Sequence, residues 1–419
     1  MLTRAAIAGF QPTQKVRRFA TVAHGREVVI VATARTPVGS FAGALSSLSA
    51  PQLGSIAIKG VLERSKIDPN LVQEVQMGQV IQAAVGQAPA RQAALGAGLP
   101  NSVITTTVNK VCASGMKTIM NASQTISLGL QDVMIAGGME SMSNVPYYLE
   151  KARSGHRLGH AQATDGLIKD GLWDVYNNFH MGNCAEDCAK RYNITREAQD
   201  AYAVESYSRA QKSIADGIFT SEIVPVTLST KKPTDKATVI TEDEEPKNVN
   251  LTKLPTLRPA FDKAGSVTAA NSSTLNDGAS AVLLMSADKA KELGLKPLAR
   301  IIGYADAAQA PIEFTTAPSL AIPKLLKQHN IPAESIDLYE INEAFSVVSI
   351  ANNQLLKLDP SKVNIYGGAV AMGHAIGNSG TRIVITLLNA LQRTNKKRGI
   401  AAICNGGGEA SAIAIERLD

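Results

Sequence analysis

The chain has 419 residues, 45% hydrophobic and 19% charged, with a formal net charge of +6. That composition is ordinary for a soluble globular protein of two or three domains, and the length is ample for a large buried core. Five basic residues (Arg4, Lys15, Arg17, Arg18, Arg26) precede the first acid, Glu27; removing them from the 42 leaves 37 basic against 36 acidic, with no basic stripe interleaved with aromatics. A nucleic-acid footprint is therefore absent, and no apolar run approaches the roughly 20 residues of a membrane-spanning helix.

The acid-free, Arg-rich leader over residues 1–26 has the composition of a mitochondrial transit peptide, with Arg17-Arg18-Phe19-Ala20 as its processing region. It predicts delivery to the mitochondrial matrix and a mature chain beginning between residues 18 and 28. The folded part opens with the β-branched run 28–32 (VVIVA), which reads as a buried strand. A helix follows over residues 52–64 and a strand over residues 75–80.

The pattern then repeats at an offset of about 265 residues. Ala50-Pro51 opens the first helix, and Ala317-Pro318 opens a similar one ending near Lys327. Ser114-Gly115 precedes a helix over residues 116–128, and Ser379-Gly380 one over residues 383–391. VMIAGGMES (133–141) mirrors IAAICNGGGEAS (400–411). A duplicated domain keeps one offset over its length. Alternating strands and helices imply layered α/β halves with largely parallel connections. The first half spans residues 27–142 and is completed by 267–297; the second spans 298–419. An insertion over residues 143–266 covers or shapes a site, and its polar end, residues 229–250, reads as an exposed excursion.

The four cysteines, 112, 184, 188 and 404, are too few and scattered for a disulfide framework. Cys184 and Cys188 lack further metal ligands nearby and read as buried packing thiols. Cys112 sits just before an apparent helix, where the terminal dipole favours a thiolate. His374 lies in a glycine turn and can take a thiol proton near neutral pH. Cys404 lies between an apolar strand and three glycines, which let backbone N–H groups approach a substrate. No dinucleotide-binding fingerprint follows the opening strand.

Four segments, NKVCASGMK (109–117), NEAF (342–345), GGAVAMGHAIGNSG (367–380) and CNGGGEAS (404–411), resemble the thiolase family in its order, over about residues 28–419. The family's fold is two similar α/β halves in an αβαβα arrangement plus a loop domain. The resemblance implies that Cys112 is the acyl-accepting nucleophile, that His374 takes its proton, and that Cys404 is the second acid/base. It assigns one oxyanion hole to His374 and a water on Asn342, and another to the N–H groups of Cys112 and Gly406. His180-Met181-Gly182 resembles the family's loop motif and, with NKVCASG, points to the branch that handles acetoacetyl-CoA.

The same resemblance implies acetyl-CoA, acetoacetyl-CoA and coenzyme A as partners, with no organic prosthetic group. Coenzyme contacts fall on Tyr207, Lys253, Ser273 and Phe345, with Asn248, Val249 and Asn250 near the adenine. A potassium ion falls on Tyr207, Ala269, Ala270, Ser272 and Val370, and the assembly is a homotetramer. A thiolase for longer chains would use the same chemistry. A ketoacyl synthase would carry a second histidine in place of Cys404, and a thiolase-like binding protein would have lost catalysis. Two positions depart from the family pattern. Ala375 stands where proline is usual, and Glu409 where a fourth glycine is usual; a backbone needing φ > 0 there would strain the glutamate.

Overall fold

A computed structural model describes residues 25–228 and 237–418; most of the leader lies outside them. Nine strands form the main path of a ten-stranded sheet: β1 (Val28–Arg35), β2 (Glu74–Gly78), β3 (Ile104–Val108), β4 (Val133–Ser141), β5 (Asn276–Ser286), β6 (Ala299–Ala308), β7 (Leu338–Ile341), β8 (Arg398–Asn405) and β9 (Glu409–Arg417). Their spatial order is β7-β8-β9-β6-β1-β5-β4-β2-β3. Read outward from the β1–β6 junction, both halves run antiparallel, antiparallel, parallel. The repeat in the sequence is thus a repeat in topology. The largely parallel connections expected do not hold, because the strands nearest the junction pair antiparallel; parallel ladders are confined to the outer strands.

Alternation along the strands builds the layers. On β1, Val29 and Val31 face one core while Val28 and Ile30 face another; on β4, Ile135 and Met139 oppose Met134 and Ala136. The first core is closed by α1 (Ala50–Ser65), opened by Ser49, whose side chain and that of Gln52 form a reciprocal capping box. Lys66, in the left-handed region with φ 56°, ends it.

The second core lies between the two halves and holds α2 (Ser114–Ser127) and α6 (Ile376–Arg393). Every residue of α6 from Ile376 to Leu391 is buried, so it is flanked on all sides, and each fully buried Ile or Leu contributes about 1.5–3 kcal/mol. The far face of the second half packs on α5 (Pro318–Gln328) through Ala321, Ile322 and Leu325. This gives helix, sheet, paired central helices, sheet, helix. No described helix is long and apolar enough to cross a membrane.

Between α2 and α5 the insertion supplies α3 (Met181–Arg191) and α4 (Arg196–Ala215). Helix α4 packs on residues 369–372, just before His374. Cys184 and Cys188 are buried on α3, as expected of packing thiols. The segment expected to be an exposed excursion is not uniformly so. Residues 229–236 lie outside the described residues, but Asp243 is fully buried and accepts from the Arg35 guanidinium at 2.7 and 3.0 Å. A charge pair drives this acid inward, which hydropathy alone does not register.

Candidate active site

Cys112 lies in the short connection between Val108, the last residue of β3, and Ser114, the first of α2. The turn there is held by its own polar side chains. Asn109 Oδ1 accepts from Val111 N at 3.0 Å, and its amide donates to the Val80 carbonyl at 3.1 Å. Ser114 Oγ accepts from Lys110 N at 2.8 Å and donates to the Val111 carbonyl at 2.6 Å. These bonds hold Val111 at φ 46°, a left-handed conformation costing a β-branched residue roughly 1–3 kcal/mol. The Cys112 thiol accepts backbone N–H bonds from Gly406 and from its own residue, yet burial pushes it up to about 12. Desolvation thus opposes the helix-terminal dipole, which favours a thiolate.

His374 follows Gly373, whose φ is 91° and where a Cβ would fall 2.2 Å from Asn276 Oδ1. That oxygen accepts from His374 N at 2.8 Å. The imidazole Nδ1 sits 2.6 Å from Ser379 Oγ, which in turn donates to the Ala375 carbonyl at 3.0 Å. A hydroxyl whose proton is so engaged accepts from Nδ1–H, which leaves Nε2 as the basic nitrogen. Nε2 is buried with no hydrogen-bond partner among the described residues. Burial, helped by Arg382, lowers His374 to about 3, so the ring is neutral.

Cys404, at the end of β8, is fully buried; burial first and then Cys112 push its thiol well above the ordinary range. Asn342 follows β7, and among the described residues neither atom of its side-chain amide has a partner. The glutamate beside it, Glu343, accepts from Tyr202 Oη at 2.9 Å, Ser206 Oγ at 2.7 Å and Val370 N at 3.0 Å, tying α4 to the approach to His374.

Across the cavity, His180 caps α3. Its Nδ1 accepts from Gly182 N at 3.0 Å, so its Nε2 carries the proton. The ring stacks on Phe261 at 4.7 Å, and a Cβ on Gly182 would fall 2.3 Å from that phenyl ring. Two neutral histidines thus face one cavity as opposite tautomers, one an acceptor and one a donor.

The cavity encloses about 540 Å³. Cys112, His374, Gly406, His180, Met181 and Phe345 line it, with Ser273, Asn248, Ala269 and Ser272 farther along. Cys404 and Asn342 stand behind its wall, as do Tyr207, Ala270 and Val370, which share an apolar cluster with Val249. Asn250 and Lys253 are exposed and outside the lining; Asn250 Oδ1 accepts from Thr252 N at 3.2 Å.

Residues 28–288 match the thiolase N-terminal domain and residues 295–417 the thiolase C-terminal domain. The chain belongs to the thiolase family. It is 57% identical over 392 residues to acetyl-CoA acetyltransferase 1 of Arabidopsis thaliana, covering 93% of this chain and 94% of that protein. It is 56% identical to the mitochondrial acetyl-CoA acetyltransferase of Bos taurus, covering 94% and 92%. A thiolase from Ascaris suum in complex with coenzyme A superposes with a TM-score of 0.89 at 46% identity, covering 94% of this chain and all of that one.

Neither departure from the thiolase pattern strains the backbone. Positive φ falls on Gly407 and Gly408, at 92° and 88°, while Glu409 is in the extended strand β9. Ala375 already has φ −65°, the value proline would fix. Sequence reasoning missed three thiolase site residues. Ser379 and Asn276 position His374. Glu140, fully buried, accepts from Val80 N and Gly377 N at 2.9 Å each, and burial raises it to about 8. Ser379 stood inside a recognised motif without a role of its own; Asn276 and Glu140 carried no local signal.

Proposed function

We propose that this thiolase is an acetyl-CoA C-acetyltransferase that interconverts two acetyl-CoA with acetoacetyl-CoA and coenzyme A through an acetyl-cysteine. The observation that carries the reading is the meeting, in one cavity, of the Cys112 thiol, the Gly406 N–H it accepts from, and the unpartnered basic Nε2 of His374. Names of relatives 54–57% identical over most of their length agree with it.

Cys112 attacks the thioester carbon of one acetyl-CoA, and His374 Nε2 takes the thiol proton. The thiolate forms as the bond forms. His374 keeps that proton, and Cys404 gives its own to the departing coenzyme A sulfur, which leaves Cys404 a thiolate. The N–H groups of Cys112 and Gly406 hold the developing oxygen charge; a donor of this kind is worth about 3–4 kcal/mol. His180 Nε2–H and Asn342, through a water shared with His374, supply donors for the second acyl group. The Cys404 thiolate then removes a proton from the α-carbon of a second acetyl-CoA, the carbanion attacks the acetyl carbonyl, and the Cys112 sulfur leaves and takes its proton back from His374. In thiolysis Cys404 gives the proton, and its neutral buried thiol is already in the right state for that direction.

Coenzyme A lies along Met181, Phe345, Ser273 and the 248–250 segment, with Tyr207 behind and Lys253 at the rim. The residues of the potassium reading fit a weakly hydrated monovalent ion. Among the described residues, none donates to the carbonyls of Ala269, Ala270 or Ser272, or bonds the buried Tyr207 hydroxyl. Burial and then Glu245 and Glu343 raise that phenol to about 12, a setting that favours a cation. Bound there with Val370, potassium supplies a fixed charge that ties the insertion to the loop before His374. The resemblance extends to a homotetramer, and the leader's composition with the mitochondrial relatives supports the matrix. The test is assay of purified protein with acetoacetyl-CoA, its 2-methyl derivative and 3-ketohexadecanoyl-CoA. The reading expects turnover of the first, and turnover of the last alone would replace it.

A further inference from the structure

Gly406, Gly407 and Gly408 form the tip between β8 and β9, where Asn405 and Glu409 are paired across the strands. A glycine tip has no side chains with which to fix itself, yet the Gly406 N–H must face the Cys112 thiol. The opposing turn is itself strained at Val111. Lys110, two residues before Cys112, bridges the two. Its ammonium forms an ion pair with the Glu409 carboxylate and reaches Asn405 Oδ1 at 3.5 Å. One cation thus holds both residues that flank the glycines. The same ammonium lies 3.9 Å from Asp306, which accepts from Lys117 Nζ at 2.6 Å and from Ser411 Oγ at 2.6 Å. The Lys110 side chain is 15% exposed and that of Glu409 42%, so the pair sits at the protein rim, where such contacts add little net stability.

We propose that the Lys110–Glu409 ion pair sets the separation of the Cys112 and Gly406 N–H donors, which makes Glu409 a positioning residue for acetyl transfer. The inference rests on those two groups being the oxyanion donors. Where the thiolase pattern usually has glycine, this chain carries a carboxylate. Extended backbone at Glu409 accepts any side chain, so substitutions there keep the hairpin.

The test compares the parent with Glu409→Gln and Glu409→Lys, following label transfer from acetyl-CoA onto the protein in single turnover. Glu409→Gln is expected to slow acetylation roughly three- to tenfold, part of what losing an oxyanion donor costs. Glu409→Lys is expected to be slower again, since like charges then face each other. KM for acetyl-CoA, melting temperature and the end point of one acetyl group per chain stay at parent values. A merely structural role would lower the end point or the melting temperature instead. Equal acetylation rates in all three proteins overturn the clamp while leaving the acetyl-cysteine intact; a parent that takes no label overturns both.

Discussion

His374 Nδ1 and Ser379 Oγ are 2.6 Å apart, and the hydroxyl donates its own hydrogen bond to the Ala375 carbonyl. The serine therefore sets which imidazole nitrogen is basic. Ser379→Ala frees the ring to place its proton on Nε2, where it cannot act as a base. Acetylation of Cys112 is expected to fall roughly ten- to a hundredfold, within the 10²–10⁴ that a general base contributes. KM should hold, and Ser379→Thr should recover most of the loss. Unchanged kinetics in Ser379→Ala would remove the serine from this account.

Ala375 has φ −65°, and its N–H makes no hydrogen bond among the described residues. Proline therefore fits its backbone and narrows the unfolded ensemble, a gain of about 0.4–1 kcal/mol. Ala375→Pro is expected to raise the melting temperature with activity retained. A lower melting temperature would mean that the buried site has no room for the ring.

Because burial holds His374 down at about 3, the unfolded chain binds a proton below pH 6.5 that the folded chain refuses. Stability from this residue is present above pH 6.5 and is lost as pH falls from there toward 3. Glu140 and Glu340, raised by burial to about 8, act oppositely, losing stability as pH rises toward 8. The histidine is isolated by comparing the parent with His374→Asn. Between pH 7 and pH 5 the parent should lose more melting temperature than the variant; equal losses would contradict the assignment of a neutral buried ring.

Potassium is tested by turnover and melting temperature in potassium against sodium at equal ionic strength. Higher values of both in potassium are expected, and Tyr207→Phe should narrow the difference. Identical behaviour in the two salts would remove the ion.

The duplication was legible because each half keeps one order of strands and helices, so α1 and α5 carry the same Ala-Pro opening. Strand direction was not legible. β5, which pairs antiparallel between β1 and β4, is separated from β4 by the whole insertion, and an apolar strand looks alike in either direction. The glycine motifs located Cys112, His374 and Cys404, since a turn that needs glycine advertises itself. Asn276 and Glu140 hold the same site by hydrogen bonds that reach across 98 and 237 positions of the chain, and one buried polar residue leaves no local pattern.

The central claim is that the acetyl group passes through Cys112. Protein mixed with labelled acetyl-CoA, quenched and digested, is read by mass spectrometry of the cysteine peptides. The account predicts label on Cys112 in the parent, label retained there in Cys404→Ala, and none in Cys112→Ala. Label on Cys404 but never on Cys112 would contradict it.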